Sequence, residues 1–157
     1  MHEIERKFLV ASDEWRVQVD SSTSIRQGYL TESTDVSVRV RIGGDLATLN
    51  VKGPPKGITR PEFEYGVPVE EAEAMLELCG DLRVDKTRHE LHFESMLWEI
   101  DEFHGPNRGL TVAEIELDRE DQAFARPSWL GQEVTRDPRY LNVNLARTPF
   151  GEWDDPD

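Results

Sequence analysis

Like-charged residues recur two positions apart along this chain, the spacing that places side chains on one face of a β-strand. The pairs are Glu3 with Glu5, Arg39 with Arg41, Glu62 with Glu64, Lys86 with Arg88, Glu99 with Asp101, and Glu114 with Glu116. Clustered carboxylates without a cysteine ligand favour hard cations such as Mg²⁺ or Mn²⁺. Clustered lysine and arginine favour phosphate oxygens. If these pairs share one lining, the chemistry they predict is a metal–polyphosphate site.

The elements that must position these pairs are mostly strands. Alternating apolar and polar residues predict strands near 2–10, 25–31, 35–42, 46–52, 60–67, 83–92, 95–104 and 111–117, with turns at 43–45, 53–55 and 105–107. Good helix formers ending at Gly80 predict a helix over 69–80, and an acid-rich turn before Pro127 predicts another over 118–125. Short helices are expected near 12–15 and from Asp137, with Pro138 at the first helical position.

The charged face of these strands has two alternative orientations. In most β proteins the polar face meets solvent, and the residues alone leave that alternative open. Two features favour the reverse: like charges about 7 Å apart on one strand repel, and the predicted helices need an apolar strand face to cover. We therefore predict an α+β fold, an eight-stranded antiparallel β-barrel forming a tunnel, with a charged interior and helices packed outside. The interior set is Glu3, Glu5, Lys7, Arg39, Arg41, Lys52, Arg60, Glu62, Glu64, Lys86, Arg88, Glu90, Glu99, Asp101, Glu114 and Glu116.

Length and charge narrow the class of protein. The 157 residues fit a single domain, expected over 1–150 and followed by an acidic tail over 151–157. A net charge of −14 argues against a protein that coats nucleic acid or an anionic membrane. Cys79 is the sole cysteine, so no intrachain disulfide is implied, and no apolar segment is long enough to span a bilayer. The default expectation is a cytoplasmic protein; its oligomeric state is open, a homodimer being one option.

The ordered motifs resemble those of the CYTH superfamily, also called triphosphate tunnel metalloenzymes. The opening Glu3-Ile4-Glu5-Arg6-Lys7 is similar to the Glu-x-Glu-x-Lys signature of that family. Further similar motifs follow in order: Gln27-Gly28-Tyr29-Leu30, Arg39-Val40-Arg41, Val51-Lys52-Gly53, Glu62-Phe63-Glu64, Lys86-Thr87-Arg88, Glu99-Ile100-Asp101, Ala113-Glu114-Ile115-Glu116, Gly131-Gln132-Glu133-Val134-Thr135 and Tyr140-Leu141-Asn142. The resemblance covers nearly the whole chain.

This resemblance implies a Mg²⁺- or Mn²⁺-dependent hydrolase of triphosphates, with inorganic tripolyphosphate as the expected substrate of short bacterial members. The implied metal ligands are Glu3, Glu5, Asp101, Glu114 and Glu116. The implied phosphate-binding residues are Lys7, Arg39, Arg41, Lys52, Lys86 and Arg88. The implied catalytic set is Glu5, Lys7, Tyr29, Glu114 and Glu116, in which Glu114 or Glu116 accepts a proton and the Tyr29 hydroxyl bonds Lys7.

Several alternatives remain at this level. The same fold serves thiamine triphosphatases and adenylyl cyclases, and a non-catalytic polyphosphate-binding module or a plain structural barrel would share its strands. Arg60 could lie in the tunnel or at its rim, and Pro61 makes an edge or a bulge plausible beside Glu62. Glu62, Glu64, Glu90 and Glu99 are expected to orient the cations.

Overall fold

A closed ring of antiparallel strands dominates the computed structural model, which describes residues 2–31, 33 and 35–153. Its strands are β1 His2–Val10, β2 Ser21–Tyr29, β3 Ser37–Gly43, β4 Leu46–Lys52, β5 Thr59–Val67, β6 Arg83–Phe93, β7 Met96–Phe103 and β8 Thr111–Glu116. Neighbours follow the order β5-β4-β3-β2-β6-β7-β8-β1, and β1 pairs back with β5 to close the ring. The predicted eight-stranded antiparallel barrel is confirmed.

Strand β1 changes partner along one of its edges. Its first residues pair with β5, ending at Ile4 opposite Thr59. Further along, residues 8 and 10 pair with a ninth strand, β9 (Leu130–Glu133), which the sequence did not predict. The ladder on this edge therefore skips Glu5 and Arg6, and the barrel wall has a gap there.

The barrel is apolar on much of its outside, so its covering segments pack against it like layers over a core. On one side, a cluster around Phe8, Trp98 and Trp129 is covered by the 3-10 helix Glu14–Gln18 and by the loop that precedes β9. On the other side, helix α1 (Val69–Leu78) lays Ala72 and Leu76 on β3 and β4. The predicted outer helix is thus confirmed.

One end of the barrel is closed by helix α2 (Asn142–Arg147). Its buried Val143 and Leu145 pack with the apolar residues at the adjoining strand ends. Those residues are Tyr29, Val84, Phe103 and Val112, each within two positions of the end of its strand. The interior is therefore a cup that is open at the opposite end. Before α2, Pro138 opens the 3-10 helix Pro138–Tyr140, where Asp137 accepts a hydrogen bond from the Arg139 backbone N–H.

The helix predicted over 118–125 is wrong. The segment is a turn followed by extended chain. The Gln122 side chain accepts a hydrogen bond from the Asp118 backbone N–H, and Phe124 packs edge-on against Phe8 and Trp98. The burial of Phe124 on the barrel outweighs the weak local helix propensity of the segment, since tertiary packing routinely overrides propensity.

Several element ends differ from expectation by one or two residues, and the start of β2 differs by more. β2 starts at Ser21, four residues earlier than predicted, because its first residues pair with the end of β6. In the predicted tail, residues 151 and 152 belong to the 3-10 helix Phe150–Glu152 and Trp153 packs edge-on against Tyr140. Residues 154–157 of that tail lie outside the described residues. Across the described part of the chain, none of the helices has the length and apolar character to cross a membrane.

Candidate active site

The interior of the barrel holds a cavity of about 320 Å³ whose walls are almost entirely charged. Strand alternation delivers these side chains, because residues two apart share the inner face. The lining residues predicted from the sequence are Glu3, Glu5, Lys7, Tyr29, Arg39, Arg41, Lys52, Arg60, Glu62, Glu64, Lys86, Arg88, Glu99, Glu114 and Glu116. The structure therefore brings together every predicted site residue except Asp101, which lies just beneath the wall.

The cations of β3 lack acidic partners. Arg39 is 7% exposed, and its Nε has no hydrogen-bond partner. Arg41 donates from Nε to the Gln27 Oε1 at 3.0 Å. Within the described residues, neither guanidinium has a carboxylate oxygen within 4.0 Å. Burial, and then the positive charges of Arg39 and Arg88, lower the pKa of Arg41 to about 9. Buried charge that lacks a counter-charge is unfavourable, so this wall is built for an anion.

Strands β1 and β8 carry the opposite arrangement. Glu5 lies directly across from Glu116, and Lys7 lies across from Glu114. Burial, and then the neighbouring Glu5, raises the pKa of Glu114. Burial, and then Glu3 and Glu5, raises the pKa of Glu116. Carboxylates placed opposite one another repel, so a cation at this wall would relieve the repulsion.

These carboxylates fit a divalent cation by their chemistry, since oxygen donors of this kind suit Mg²⁺ and Mn²⁺. They are not drawn into a ready-made ligand set: across residues 2–31, 33 and 35–153, no three acidic, histidine or cysteine side chains converge on one point. Three cations lie close to single carboxylates of this wall: Lys52 Nζ is 3.0 Å from Glu3, Arg88 is 3.6 Å from Glu114, and Lys7 Nζ is 3.7 Å from Glu5 Oε1. Burial by itself would lower the pKa of Lys7, but Glu114 and Glu5 outweigh it and raise the pKa.

The acidic wall and the basic wall face each other. In the ring order, β3 and β8 are separated by four steps in either direction around the eight strands. Arg39 and Arg41 therefore look across the cavity towards Glu114 and Glu116. A molecule in the cavity would meet carboxylates on one side and guanidinium groups on the other.

Asp101 does not line the cavity, unlike the role implied for it as a metal ligand. It is 1% exposed, and both of its oxygens bond cations. Arg88 donates to Oδ1 and Oδ2, each at 2.8 Å, and Lys86 Nζ lies 2.8 Å from Oδ2. Burial by itself would raise the pKa of Asp101, but Arg88 and Lys86 hold it far below its usual value. With its oxygens occupied in this way, Asp101 fixes the positions of two cations that line the cavity.

Two polar residues of the site escaped the sequence reasoning. Gln27 is fully buried, and its Nε2 donates to the Tyr29 hydroxyl at 3.1 Å and to Asn142 Oδ1 at 3.2 Å. Asn142 also accepts from Lys86 Nζ at 3.0 Å. The expected hydrogen bond from Tyr29 to Lys7 is absent among the described residues, and Gln27 takes that place. Gln27 shares a strand face with Tyr29, so strand alternation could have predicted it. Asn142 lies on helix α2, and no pattern in the sequence predicted its place in the site.

The residues left open by the sequence also have definite places. Glu62 points inward and lies 3.4 Å from Lys52 Nζ, which also bonds Glu3 at 3.0 Å. Pro61 is the last residue of β5 that pairs with β1, so the strand passes there from one partner to the other. Glu90, in contrast, is absent from the cavity lining and accepts a hydrogen bond from Ser21.

Comparison with known proteins gives matches over nearly the whole chain. Residues 1–149 match the CYTH domain family. An inorganic triphosphatase of Acetivibrio thermocellus is 48% identical over 149 residues, 94% of this chain and 95% of that protein. One of Nitrosomonas europaea is 40% identical over 152 residues, covering 93% and 97%. A crystal structure of an inorganic triphosphatase superposes with a TM-score of 0.66 at 36% identity, covering 92% of this chain and 97% of that one. The matched region includes the barrel, helix α2 and the entire cavity lining.

Proposed function

The chain belongs to the CYTH family, and we propose that it is a divalent-metal-dependent hydrolase of inorganic tripolyphosphate. The observation that carries this proposal is the pair of buried guanidinium groups, Arg39 and Arg41, which lack acidic partners and face crowded carboxylates. A polyphosphate with a bound cation satisfies both walls at once. The names of the two bacterial relatives support the same substrate.

The carboxylates of β1 and β8 that line the cavity would hold the cation: Glu5, Glu114 and Glu116, together with Glu3, which would exchange its hydrogen bonds from Lys52 for the cation. Mg²⁺ or Mn²⁺ bound there would neutralise phosphate charge and lower the pKa of a bound water. Asp101 is left out of this set because Lys86 and Arg88 already occupy its oxygens.

The cations of the cavity would bind and align the phosphate groups. They are Lys7, Arg39, Arg41, Lys52, Lys86 and Arg88. Phosphoryl transfer depends mainly on positioning and on neutralising charge, which is what fixed cations supply. A raised pKa makes Glu114 or Glu116 a suitable acceptor, at a side-chain oxygen, for the proton of the attacking water. Asp101 would keep Lys86 and Arg88 aimed at the substrate.

The shape of the cavity favours a bare phosphate chain over a nucleotide. Helix α2 closes one end, where Leu141 and Val143 are the apolar contribution to a lining that is otherwise mostly charged. A nucleobase needs an apolar or aromatic surface to stack on, and Tyr29 is the one aromatic residue that lines this cavity in the described part of the chain. Thiamine triphosphate and ATP are therefore expected to be poorer substrates.

Phosphate release from tripolyphosphate, thiamine triphosphate and ATP, measured with Mg²⁺ or Mn²⁺ and after EDTA treatment, tests the proposal. We expect the highest kcat/KM with tripolyphosphate and no turnover with EDTA. Arg39→Gln should lower kcat/KM by roughly 100-fold, whereas Arg108→Gln, at an exposed position that does not line this cavity, should not. Tight binding without phosphate release would instead indicate a binding module, and neither binding nor release would indicate a structural barrel.

The proposal includes a cytoplasmic location. The buried thiol of Cys79 is free and packs against the barrel, so it requires no oxidising compartment. Cell fractionation with detection of the protein in the soluble fraction tests this part.

A further inference from the structure

A second cavity, of about 300 Å³, opens through the side of the barrel wall. It lies between the loop 53–58 and the segment 135–138, and we call it the side opening. It shares Glu3, Glu5, Lys7 and Arg60 with the central cavity. The two spaces are therefore separated only by side chains that belong to both.

The side opening is a consequence of the partner change of β1. The ladder with β5 ends at Ile4, and hydrogen bonding on the same edge resumes only at Lys7, whose carbonyl accepts from the Val134 N–H. At about 3.3 Å per residue, roughly 10 Å of β1 separates those two positions. No strand covers that stretch, and the loop and segment named above form its sides.

The rim of the side opening is positively charged. Arg60 and Arg136 line it, and Lys56 lies in its loop. Within the part of the chain that the structure describes, none of the three has a carboxylate within 4.0 Å. The acids that line the opening are each close to another cation: Glu3 to Lys52, Glu5 to Lys7 and Asp137 to Arg139. Of the acids beside it, Glu133 pairs with Arg6 and Glu120 bonds the Thr59 hydroxyl. Three unpaired cations thus surround the opening on a chain whose net charge is −14.

The open axial end has the opposite character. Helix α2 closes one end of the barrel; towards the other end the lining carries Glu64, Glu99 and Glu116, together with Arg41 of β3. Glu5 lies directly opposite Glu116, so carboxylates are crowded at this end. While these carboxylates hold no cation they repel an approaching polyanion, whereas the unpaired cations of the rim attract it, because local fields steer charged ligands.

We propose that polyphosphate anions enter and leave the central cavity through the side opening, guided by Arg136. This inference rests on the proposed function, and it assigns to Arg136 a role in which the residue attracts the anion without touching the reacting groups. Arg136 is exposed and makes no ion pair among the described residues, so its charge is available to an approaching ligand.

The test compares charge reversal at the rim with the same reversal elsewhere. Arg136→Glu should lower kcat/KM for tripolyphosphate by about 3- to 10-fold at low ionic strength, with kcat little changed and the defect fading as salt is added. Arg108→Glu, which changes the net charge equally at an exposed site lining none of the cavities, should behave like the wild type. Arg136→Lys should retain the wild-type value, and Arg136→Gln should fall between.

Equal effects of the two reversals, or a defect in Arg136→Glu that persists at high salt or is shared by Arg136→Lys, would overturn the inference. Thermal unfolding of each variant identifies misfolded protein. If Arg136→Glu does not fold, Arg136→Gln replaces it in the kinetic comparison. Phosphorus NMR line broadening of tripolyphosphate follows binding exchange without turnover. If the wild-type protein binds tripolyphosphate without hydrolysing it, the proposed function fails. The binding exchange of the Arg136 and Arg108 variants can still be compared by NMR in that case.

Discussion

At the scale of single residues, the groups proposed to bind the anion lower the stability of the ligand-free protein. Arg39 and Arg41 are held in a wall that offers them no counter-charge, and their neighbours on the wall include Arg88. Such groups are unfavourable in the free protein and become favourable when an anion arrives. The interaction is therefore held ready before substrate binds, which is how preorganised sites work.

Replacing Arg41 with Gln should raise the stability of the ligand-free protein and weaken its binding of tripolyphosphate. We expect Arg41→Gln to raise the free energy of unfolding of the ligand-free protein by about 1 kcal/mol, because it removes a buried, unpaired charge. The same change should reduce the rise in melting temperature that tripolyphosphate causes. Thermal unfolding with and without tripolyphosphate checks both effects; a variant that is less stable without ligand would contradict the first.

The pKa of Arg41 also predicts a pH dependence. Since burial and neighbouring cations lower that pKa to about 9 from 12.5, the folded protein loses this proton before the unfolded chain does. The contribution of Arg41 to stability should therefore increase as pH rises from 9 towards 12.5, while affinity for tripolyphosphate falls above pH 9. Calorimetric titration over this range checks the affinity. The difference between wild type and Arg41→Gln isolates the residue, and parallel curves would contradict the assignment.

Alternation along strands was enough to predict most of the lining from the sequence. It placed the charged residues of seven strands inward, because like charges at two-residue spacing repel and the outer helices need an apolar strand face to cover. It did not reveal that both oxygens of Asp101 are paired with Lys86 and Arg88, since those contacts depend on the length and conformation of each side chain. The same limit applies to Asn142, whose place depends on the docking of a helix.

At the scale of elements, the β6–β7 hairpin has an unfavourable turn sequence. Its two turn residues, Glu94 and Ser95, have φ angles of 49° and 70°. Two-residue hairpin turns with positive φ at both positions favour Asn-Gly, because other side chains are strained there. The turn lies far from helix α2 and is exposed, so its sequence can change without touching the lining.

We expect Ser95→Gly to stabilise the protein by about 0.5 kcal/mol, because glycine adopts positive φ without steric strain. Denaturant unfolding monitored by circular dichroism measures the change. Gly66→Ala, in a strand where an added Cβ meets nothing within 4 Å, provides a comparison at a glycine without this constraint. A Ser95→Gly protein less stable than the wild type would contradict the argument.

Helix α2 also contributes one polar group to the site. Asn142 accepts hydrogen bonds from Lys86 and Gln27, whereas Asn144 on the same helix donates to the Pro138 carbonyl. Asn142→Ala should lower kcat/KM about 10-fold, because Lys86 loses one of its two orienting partners and keeps only Asp101, and should lower stability by about 1 kcal/mol. Asn144→Ala should lose similar stability with full activity. Steady-state kinetics and unfolding of the two variants check this; equal kinetic losses would refute it.

Elements with long alternating patterns were predictable, and those positioned by tertiary contacts were not. β9 has only four residues and owes its existence to the edge that β1 presents after it leaves β5. The segment 118–125 has helix-like composition but follows the aromatic packing of Phe124. In both cases a partner on β1 lies more than a hundred residues away in sequence.

At the scale of the whole molecule, the barrel reverses the usual distribution of polarity. Charged residues point inward, and aromatic and aliphatic residues cover the outer wall beneath α1 and the loop before β9. Acidic residues outnumber basic ones by 32 to 18 over the chain, and several of the excess carboxylates face the cavity. Divalent cations should therefore increase the stability of the entire folded protein.

Adding Mg²⁺ should stabilise the fold, since the carboxylates proposed to bind it are brought into one cavity only in the folded barrel. At a concentration 100 times the dissociation constant, the gain is about 2.7 kcal/mol. Differential scanning calorimetry against Mg²⁺ concentration measures it, and EDTA should return the melting temperature to that of the metal-free protein. Glu5→Gln should reduce the shift, and an equal shift in that variant would remove Glu5 from the cation site.

The first strand both seals the ring and carries Glu3, Glu5 and Lys7 into the cavity. Closure of the barrel and assembly of the cavity lining therefore depend on the same strand. A chain in which β1 is misplaced loses both the closed barrel and these three lining residues. With the roles proposed for these three residues, a partly assembled chain is expected to be inert towards polyphosphate.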